Sequence, residues 1–158
     1  MDKKIKKLFV VAASITGTWA LAIKPRISNK PDMSEMTRYD FANRGYYNIR
    51  KKIPENSLVA FNVAVEHGYG IVMDVRMSRD GVPVIFRDHQ MCRMCGIDGT
   101  VEESDWEKLK ECCLSRTQET IPCLSDGLKL VDGKVPVLLN LNVALDTSGL
   151  LCAIEVSI

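Results

Sequence analysis

Residues 71–89, IVMDVRMSRDGVPVIFRDH, consist of two short apolar arms on either side of an Asp-Gly pair. This pattern predicts two β-strands joined by a tight turn at Asp80 and Gly81. Charged residues interrupt both arms, with Asp74 in the first and Arg87 near the end of the second. A two-residue turn would place Asp74 opposite Arg87. Because a buried carboxylate is costly unless it is paired, we expect these two side chains to form an ion pair.

The segments before this hairpin predict a strand and a helix. The sequence YDFANRG at residues 39–45 indicates a short strand that ends in a glycine turn. The sequence PENSLVAFNVAVEHG at residues 54–68 has an apolar stripe of helical spacing. Asn56 or Ser57 can cap the start of this helix, and Gly68 can take the left-handed conformation that ends it.

The segments after the hairpin predict two helices and a further strand. SDWEKLKECC at residues 104–113 contains a capping box formed by Ser104 and Glu107. IPCLSDGLKLVDG at residues 121–133 is a weaker helix, and VPVLLNLNV at 135–143 is typical of a strand buried on both faces. This order predicts an α/β fold, either a barrel or a doubly wound sheet.

The N-terminus differs from the rest of the chain. Four lysines within residues 1–7 precede sixteen uncharged residues at positions 8–23, which as a helix would span about 24 Å. The segment predicts either a retained transmembrane anchor, which we favour narrowly, or a signal peptide with an A-x-A site at Ala20 and Ala22. A buried soluble helix is a third alternative. In the first two cases the body lies outside the cytoplasm, either anchored to the membrane or exported after cleavage.

The next boundary follows from composition. Residues 24–38 contain two prolines and no apolar periodicity, so they predict a linker, and the folded domain occupies residues 39–158. Residues 1–30 hold seven basic residues and one acidic residue, whereas the remainder holds fourteen and nineteen. The body shows no basic patch with interleaved aromatic residues, which argues against a nucleic-acid partner.

The cysteines do not have the spacing of a zinc site. Cys92 and Cys95 form a C-x-x-C pair, but Cys112 and Cys113 are adjacent, and a structural zinc site needs two well-spaced pairs. Disulfides are possible outside the cytoplasm, with a connectivity that the sequence does not give. We expect the cysteines to act mainly as small hydrophobic residues.

Six motifs in a fixed order resemble the glycerophosphodiester phosphodiesterase family. They are NRG, PENS, GIVMDV, DGVPVIFRD, IPCLSDGLKLV and GKVPVLLNLNV, and the similarity runs from Tyr39 to about Val143. The basic anchor and the KPDMS linker look like a membrane-attached bacterial branch of the family. The resemblance implies a TIM (β/α) barrel. Because such a barrel needs about 250 residues, the roughly 120 residues after the linker would form about its N-terminal half, preceded by a hydrophobic helix.

The resemblance also implies a reaction. Members of the family hydrolyse glycerophosphodiesters to glycerol 3-phosphate and an alcohol, with a calcium or magnesium ion held by three carboxylates and two histidines as acid and base. Here the two histidine positions are Asn43 and Arg87, and two of the metal-ligand positions are Val72 and Asn140. Asp74 is the one metal carboxylate that remains. The other retained positions of the family site are Arg44, Glu55, Asn56 and Asp88.

These replacements predict an inactive protein. The chain's own histidines are poor substitutes, since His67 ends a helix on the wrong side of the fold and His89 lies two residues beyond the lost position. With one carboxylate left, we expect no calcium or magnesium to bind. Two further alternatives are a membrane-tethered pseudoenzyme that binds a phosphate ligand through Arg44 and Arg87, and a truncated remnant without function. A half-barrel is also expected to self-associate or to pair with a complementary half.

Overall fold

The computed structural model describes Met33, Ser34 and residues 36–142. The chain divides into two units, Met1–Ser34 and Glu35–Ile158, and the strands and helices of the described residues belong to the second unit. The predicted anchor or signal sequence at residues 8–23 lies outside the described residues. Within the described part of the chain, no helix has the length and apolar character needed to cross a bilayer.

The described chain contains four strands and four α-helices, with a strand pair in the middle. A 3-10 turn at Ile49–Lys51 lies in the first loop, and another at Met36–Arg38 precedes the first strand. The elements are β1 (Phe41–Asn43), α1 (Leu58–Glu66), β2 (Gly70–Met77), β3 (Pro83–Ile85), α2 (Cys92–Cys95), α3 (Trp106–Leu109), α4 (Leu124–Val131) and β4 (Val137–Leu141). The predicted α/β order is confirmed, with one short helix, α2, that the sequence pattern does not indicate.

Strand β2 is the centre of a four-stranded mixed sheet. It pairs in parallel with β1 and β4 and antiparallel with β3. The carbonyls of Val72 and Asp74 accept hydrogen bonds from the N–H groups of Arg44 and Phe86, so β1 and β3 share one edge of β2. The carbonyl of Val75 accepts from Asn142 on the other edge, beside β4. Parallel strands joined through α1 and α4 are the connections expected of part of a barrel.

The hairpin between β2 and β3 has a three-residue loop rather than the predicted two-residue turn. Ser78 and Val82 close it, with the Ser78 N–H donating to the Val82 carbonyl at 3.0 Å, and Gly81 has φ +82°. Consequently Val75 pairs with Ile85, and Phe86 bonds to Asp74. A shift of one residue moves a side chain to the other face of a strand.

The predicted ion pair between Asp74 and Arg87 is therefore wrong. Arg87 is exposed, and among the described residues it makes no ion pair with Asp74. The cause is the extra loop residue, which Gly81 accommodates in the left-handed conformation that this loop length requires.

The ends of the helices agree with the sequence in part. The Ser57 hydroxyl accepts a hydrogen bond from the Ala60 N–H at 3.2 Å, and Gly68 has φ +71°, so α1 begins and ends as predicted. The capping box is wrong. The Ser104 hydroxyl donates to the Thr100 carbonyl at 2.9 Å, and α3 starts later, after Asp105.

Successive side chains of β2 point to opposite faces of the sheet. One face packs against the helices and forms the core, and the other is here called the inner face. Ile71, Met73 and Val75 are fully buried and pack with Phe61 and Leu124 of the flanking helices. A second cluster covers β3, where the half-buried Cys95 packs against the buried Cys112, while Cys92 and Cys113 are exposed. The five cysteines of the described residues are free thiols.

Strand β4 is buried less than its composition predicts. Val137 and Leu139 pack against the core, but Leu138 and Leu141 expose 37% and 36% of their surface. The prediction of a strand buried on both faces is therefore wrong within the described residues. Leu138 is exposed because it lies on the inner face, and no other described strand pairs with β4 to cover it.

Candidate functional site

The family-site positions converge at the carboxyl ends of the parallel strands, here called the mouth. The β1–β2 register pairs Asn43 with Val72, and the β2–β4 register pairs Asp74 with Asn140. Val72 and Asp74 are two residues apart on β2, so they share its inner face. The sheet thus brings together the four positions at which the resemblance implies a histidine and three carboxylates.

Asp74 is the centre of this site and is only 2% exposed. Both of its oxygens are occupied. Oδ1 accepts from the amide groups of Asn140 at 2.7 Å and Asn142 at 3.3 Å, and Oδ2 accepts from Asn56 at 3.1 Å. The Nε of Arg44 lies 3.4 Å from Oδ2 and provides the compensating charge. Three amides and one guanidinium satisfy a carboxylate whose burial would otherwise be unfavourable.

A chain of alternating charges extends from Arg44 along the mouth. Arg44 Nη1 donates to Glu55 Oε2 at 2.9 Å, and Arg93 donates to Glu55 Oε1 and to Asp88 Oδ2. The hydrogen bond to Asp88 raises the pKa of Arg93 above its usual value, and the bond to Glu55 adds to this effect. The retained residues Arg44, Glu55 and Asp88 are therefore engaged with arginines or carboxylates of the same chain.

Two residues of the site have a backbone conformation that is unusual for their type. Arg44 has φ +63° and Asn56 has φ +55°. Backbone hydrogen bonds hold both, from the Arg44 N–H to the Val72 carbonyl at 2.8 Å and from the Asn56 N–H to the Arg44 carbonyl at 2.9 Å. Strained residues of this kind persist where the surrounding structure fixes them. Here they direct both side chains onto Asp74.

The positions of the expected acid and base carry no group suited to proton transfer. Asn43 is exposed at the end of β1, and the exposed Arg87 follows β3. His89 donates from Nδ1 to Glu102 Oε2 at 2.8 Å. His67 donates to the Val63 carbonyl at 2.8 Å, at the helix end where the sequence placed it. Neither histidine contacts Asp74.

A groove of about 770 Å³ opens beside the mouth and is rich in arginine. Arg76 is anchored in it, since its Nε donates to the Arg87 carbonyl at 2.8 Å and its Nη1 pairs with Glu102. The Arg87 side chain has no carboxylate partner among the described residues. The lining residues are Arg76, Arg87, Asp88, His89, Gln90, Cys92, Arg93 and Asn142.

The donor set does not fit the divalent metal that the fold family implies. Calcium needs six to eight oxygen ligands and magnesium six. Asp74 supplies one carboxylate whose two oxygens already accept N–H donors, and Glu55 is bound by two arginines. A cation at this place would also lie beside the Arg44 guanidinium. No group of three ligating side chains forms a metal site within residues 36–142.

Sequence reasoning misses one member of this site and the roles of two others. It does not single out Arg93, it places Asn142 only in the strand motif of the family resemblance without a contact to Asp74, and it assigns Asn56 a possible helix cap, which Ser57 forms instead. For Asn142 a signal exists, because it is two residues from Asn140 and so shares its face of the strand. Arg93 lies in the segment after β3, where the spacing of residues does not predict which way a side chain points.

Comparison with known proteins identifies the family. The model of the glycerophosphoryl diester phosphodiesterase family matches residues 44–153. A probable glycerophosphodiester phosphodiesterase 2 of Mycobacterium tuberculosis is 37% identical over 92 residues, which are 58% of this chain and 34% of that protein. A glycerophosphodiester phosphodiesterase of Bacillus altitudinis is 31% identical over 108 residues, covering 64% of this chain and 43% of the relative.

Solved structures show the same relationship. A phosphodiesterase of Oleispira antarctica, in complex with the product sn-glycerol 3-phosphate, is 26% identical with a TM-score of 0.66, covering 75% of this chain and 51% of that one. The glycerophosphodiester phosphodiesterase of Thermotoga maritima is 27% identical with a TM-score of 0.61, covering 75% and 49%. The chain spans about a third to a half of the length of these relatives. By its sequence and its mixed α/β sheet, the chain belongs to the glycerophosphoryl diester phosphodiesterase family.

Proposed function

We propose that this chain is a catalytically inactive member of its family that binds a phosphate-bearing ligand without cleaving it. The observation that carries the proposal is the environment of Asp74. Its carboxylate accepts three amide N–H groups and lies 3.4 Å from a guanidinium, where the family reaction needs a metal ion. The site is stabilised as a hydrogen-bonded network in place of a metal centre.

Loss of the acid and base supports the same conclusion. Neither the amide at position 43 nor the guanidinium at position 87 changes its protonation state near neutral pH, so neither serves as a general acid or base. Removal of a general acid or base costs roughly 10²- to 10⁴-fold in rate for each group. His89 is the histidine closest in sequence to position 87, and its ring is hydrogen-bonded to Glu102.

The groove supports phosphate binding. Arg76, Arg87 and Arg93 line one opening, and guanidinium groups bind phosphate oxygens through paired N–H donors. Arg76 and Arg93 are already fixed by carboxylates, whereas Arg87 is exposed and has no carboxylate partner among the described residues. Arg87 therefore supplies the free charge, in the place where the family resemblance implies a histidine.

The test is thermal unfolding of the full chain with calcium, magnesium or sn-glycerol 3-phosphate, together with an assay of glycerophosphodiester hydrolysis. We expect glycerol 3-phosphate to raise the melting temperature, neither metal to do so, and no turnover. A ligand at one hundred times its dissociation constant stabilises the native state by about 2.7 kcal/mol. Arg87→Gln should abolish the shift, whereas Arg116→Gln, an exposed arginine outside the groove, should keep it. Turnover with either metal would refute the proposal.

We also propose that the N-terminal segment holds the body at a membrane surface outside the cytoplasm, or exports it if the segment is cleaved. Support comes from the four lysines of residues 1–7 and the uncharged run at 8–23. Protease added to intact cells should digest the body. Protection of the body until the cells are lysed would exclude this location.

A second copy of the chain is the partner we propose for strand β4. Leu138 and Leu141 expose over a third of their surface, and a sheet edge with apolar neighbours tends to pair. Light scattering after gel filtration should give a dimer, and Leu138→Lys should reduce its fraction. A monomer at all concentrations would contradict the proposal.

A further inference from the structure

The loop between β1 and α1 carries an exposed apolar tip among basic residues. Residues 46–53, YYNIRKKI, are here called the basic loop. Ile49 is 77% exposed, the most exposed large hydrophobic residue of the described chain, and Tyr47 is 43% exposed. The two tyrosines precede the run of basic residues at positions 50–52 and do not alternate with it.

The exposure of Ile49 follows from a fixed backbone. Asn48 and Ile53 exchange N–H to carbonyl hydrogen bonds at 2.9 and 3.0 Å, which close the loop. Inside it, the Asn48 side chain accepts from the Lys51 N–H at 3.2 Å, and Lys52 takes the left-handed conformation that ends the 3-10 turn. The loop thus holds Ile49 away from the body, where no described apolar residue covers it.

The charges of the basic loop are available to a partner. Arg50, Lys51 and Lys52 are exposed, and none of them pairs with a carboxylate among the described residues. An aliphatic tip next to several cations suits the surface of an anionic bilayer. The aliphatic side chain can enter the acyl region, and the cations can bind the lipid phosphates of the headgroup region.

The basic loop lies at the same end of the sheet as the mouth. Its first residues follow Arg44 and its last precede Glu55, and the Asn56 N–H donates to the Arg44 carbonyl across its base at 2.9 Å. Contact between the loop and a surface would therefore bring the mouth close to that surface.

We propose that the basic loop docks onto an anionic lipid bilayer, with Ile49 in the headgroup region and Arg50, Lys51 and Lys52 on lipid phosphates. This contact is separate from the N-terminal segment and does not depend on ligand binding in the groove.

A nucleic acid fits the loop less well than a bilayer. Single-stranded nucleic acids need aromatic faces for base stacking. The Tyr46 ring is already stacked with His67 at 5.1 Å and with Tyr69 at 5.5 Å. The most prominent side chain, Ile49, offers no such face.

The test places a tryptophan at the tip of the loop in the full chain. Ile49→Trp and the wild type are mixed with vesicles of phosphatidylcholine, with or without phosphatidylglycerol, and the difference between their emission spectra isolates the new tryptophan. On anionic vesicles we expect a blue shift and quenching by lipids brominated in the acyl chain. On phosphatidylcholine alone we expect little change.

Matched charge variants identify the cations. Lys51→Gln with Lys52→Gln, in the Ile49→Trp background, should lower the partition constant onto anionic vesicles roughly fivefold for each charge removed. Lys129→Gln with Lys134→Gln removes two exposed cations near the opposite end of β4 and should leave the quenching unchanged. Thermal unfolding of each variant checks that the fold is retained.

Two results would overturn the proposal. One is a tryptophan emission at position 49 that anionic vesicles neither shift nor quench. The other is a response to a single-stranded oligonucleotide without any response to vesicles, which would assign the loop to a nucleic-acid partner instead.

Discussion

Asn140 donates a 2.7 Å hydrogen bond to the Asp74 carboxylate, across the register that pairs β4 with β2. The family resemblance implies a carboxylate at position 140 that would share a metal ion with Asp74. At this register the resemblance implies two anions that need a cation, whereas this chain has an anion and an amide that satisfy each other. The two side chains thus link β2 and β4 at the mouth.

Removal of the Asp74 side chain should strongly destabilise the domain. Asp74→Ala removes the acceptor shared by three amide groups and the Arg44 Nε, while Arg44 keeps Glu55 as its charge partner, and we expect a cost of about 3–5 kcal/mol in the free energy of unfolding. Urea unfolding measures this loss. Asp98→Asn, at an exposed carboxylate, should change the free energy by less than about 0.5 kcal/mol. A similar small effect at Asp74 would mean that the network contributes little.

Restoring two carboxylates should create a metal site. Val72→Glu with Asn140→Glu places three carboxylates on neighbouring positions of β2 and β4. Without metal their repulsion should lower the melting temperature, and millimolar calcium should raise it again. The matched variant, Val72→Gln with Asn140→Gln, should not respond to calcium. If both variants behave alike, the mouth lacks the geometry for a metal and not only the charges.

Two glycines with left-handed backbone should differ in their tolerance of alanine. Gly81 has φ +82° and open space around it, so Gly81→Ala should cost only the backbone strain of about 1–2 kcal/mol. Gly45 has φ +79°, and a Cβ there would lie 2.9 Å from the Ala60 backbone carbon. Gly45→Ala should therefore lower the free energy of unfolding more than Gly81→Ala does, which chemical denaturation measures. An equal loss in the two variants would mean that α1 moves aside to make room for the new Cβ.

The buried thiols should weaken the protein at alkaline pH. Burial raises the pKa of Cys95 to about 12, with Cys112 and Cys113 adding to the effect. The unfolded chain then releases this proton at lower pH than the native one, so the free energy of unfolding falls as the pH rises above about 9. Denaturation between neutral pH and about pH 11 should show a shallower decline in Cys95→Ala. The exposed Cys92→Ala is the control, and an identical decline in all three proteins would contradict the prediction.

The sequence predicts the order of elements well because that order depends on local chemistry. The serine cap at Ser57, the glycine at Gly68 and the apolar run of β2 each act within a few residues. The motifs also identify the positions that meet at the mouth, since the register of parallel strands brings corresponding ends together.

Properties that depend on one residue of register are not predictable in the same way. An Asp-Gly pair suits both a two-residue and a three-residue loop, and the difference decides whether Arg87 or Phe86 lies beside Asp74. The engagement of Arg93 with Asp88 and Glu55 likewise depends on a segment that folds back over the mouth. The prediction of a fully buried β4 fails because an apolar side chain on the inner face is buried only if another element covers it. The local sequence pattern does not specify that element.

The division of β2 into two faces also bears on the evolution of the chain. Ile71, Met73 and Val75 support the core, while Val72 and Asp74 form the mouth. A substitution at Val72 leaves the packing of the core face unchanged, whereas Asp74 also stabilises the fold through its hydrogen bonds, so selection for folding still acts on part of the inner face. A lineage released from selection for catalysis can therefore drift at positions such as 72 for a long time, while the hydrogen-bonded network around Asp74 is retained and its product continues to fold.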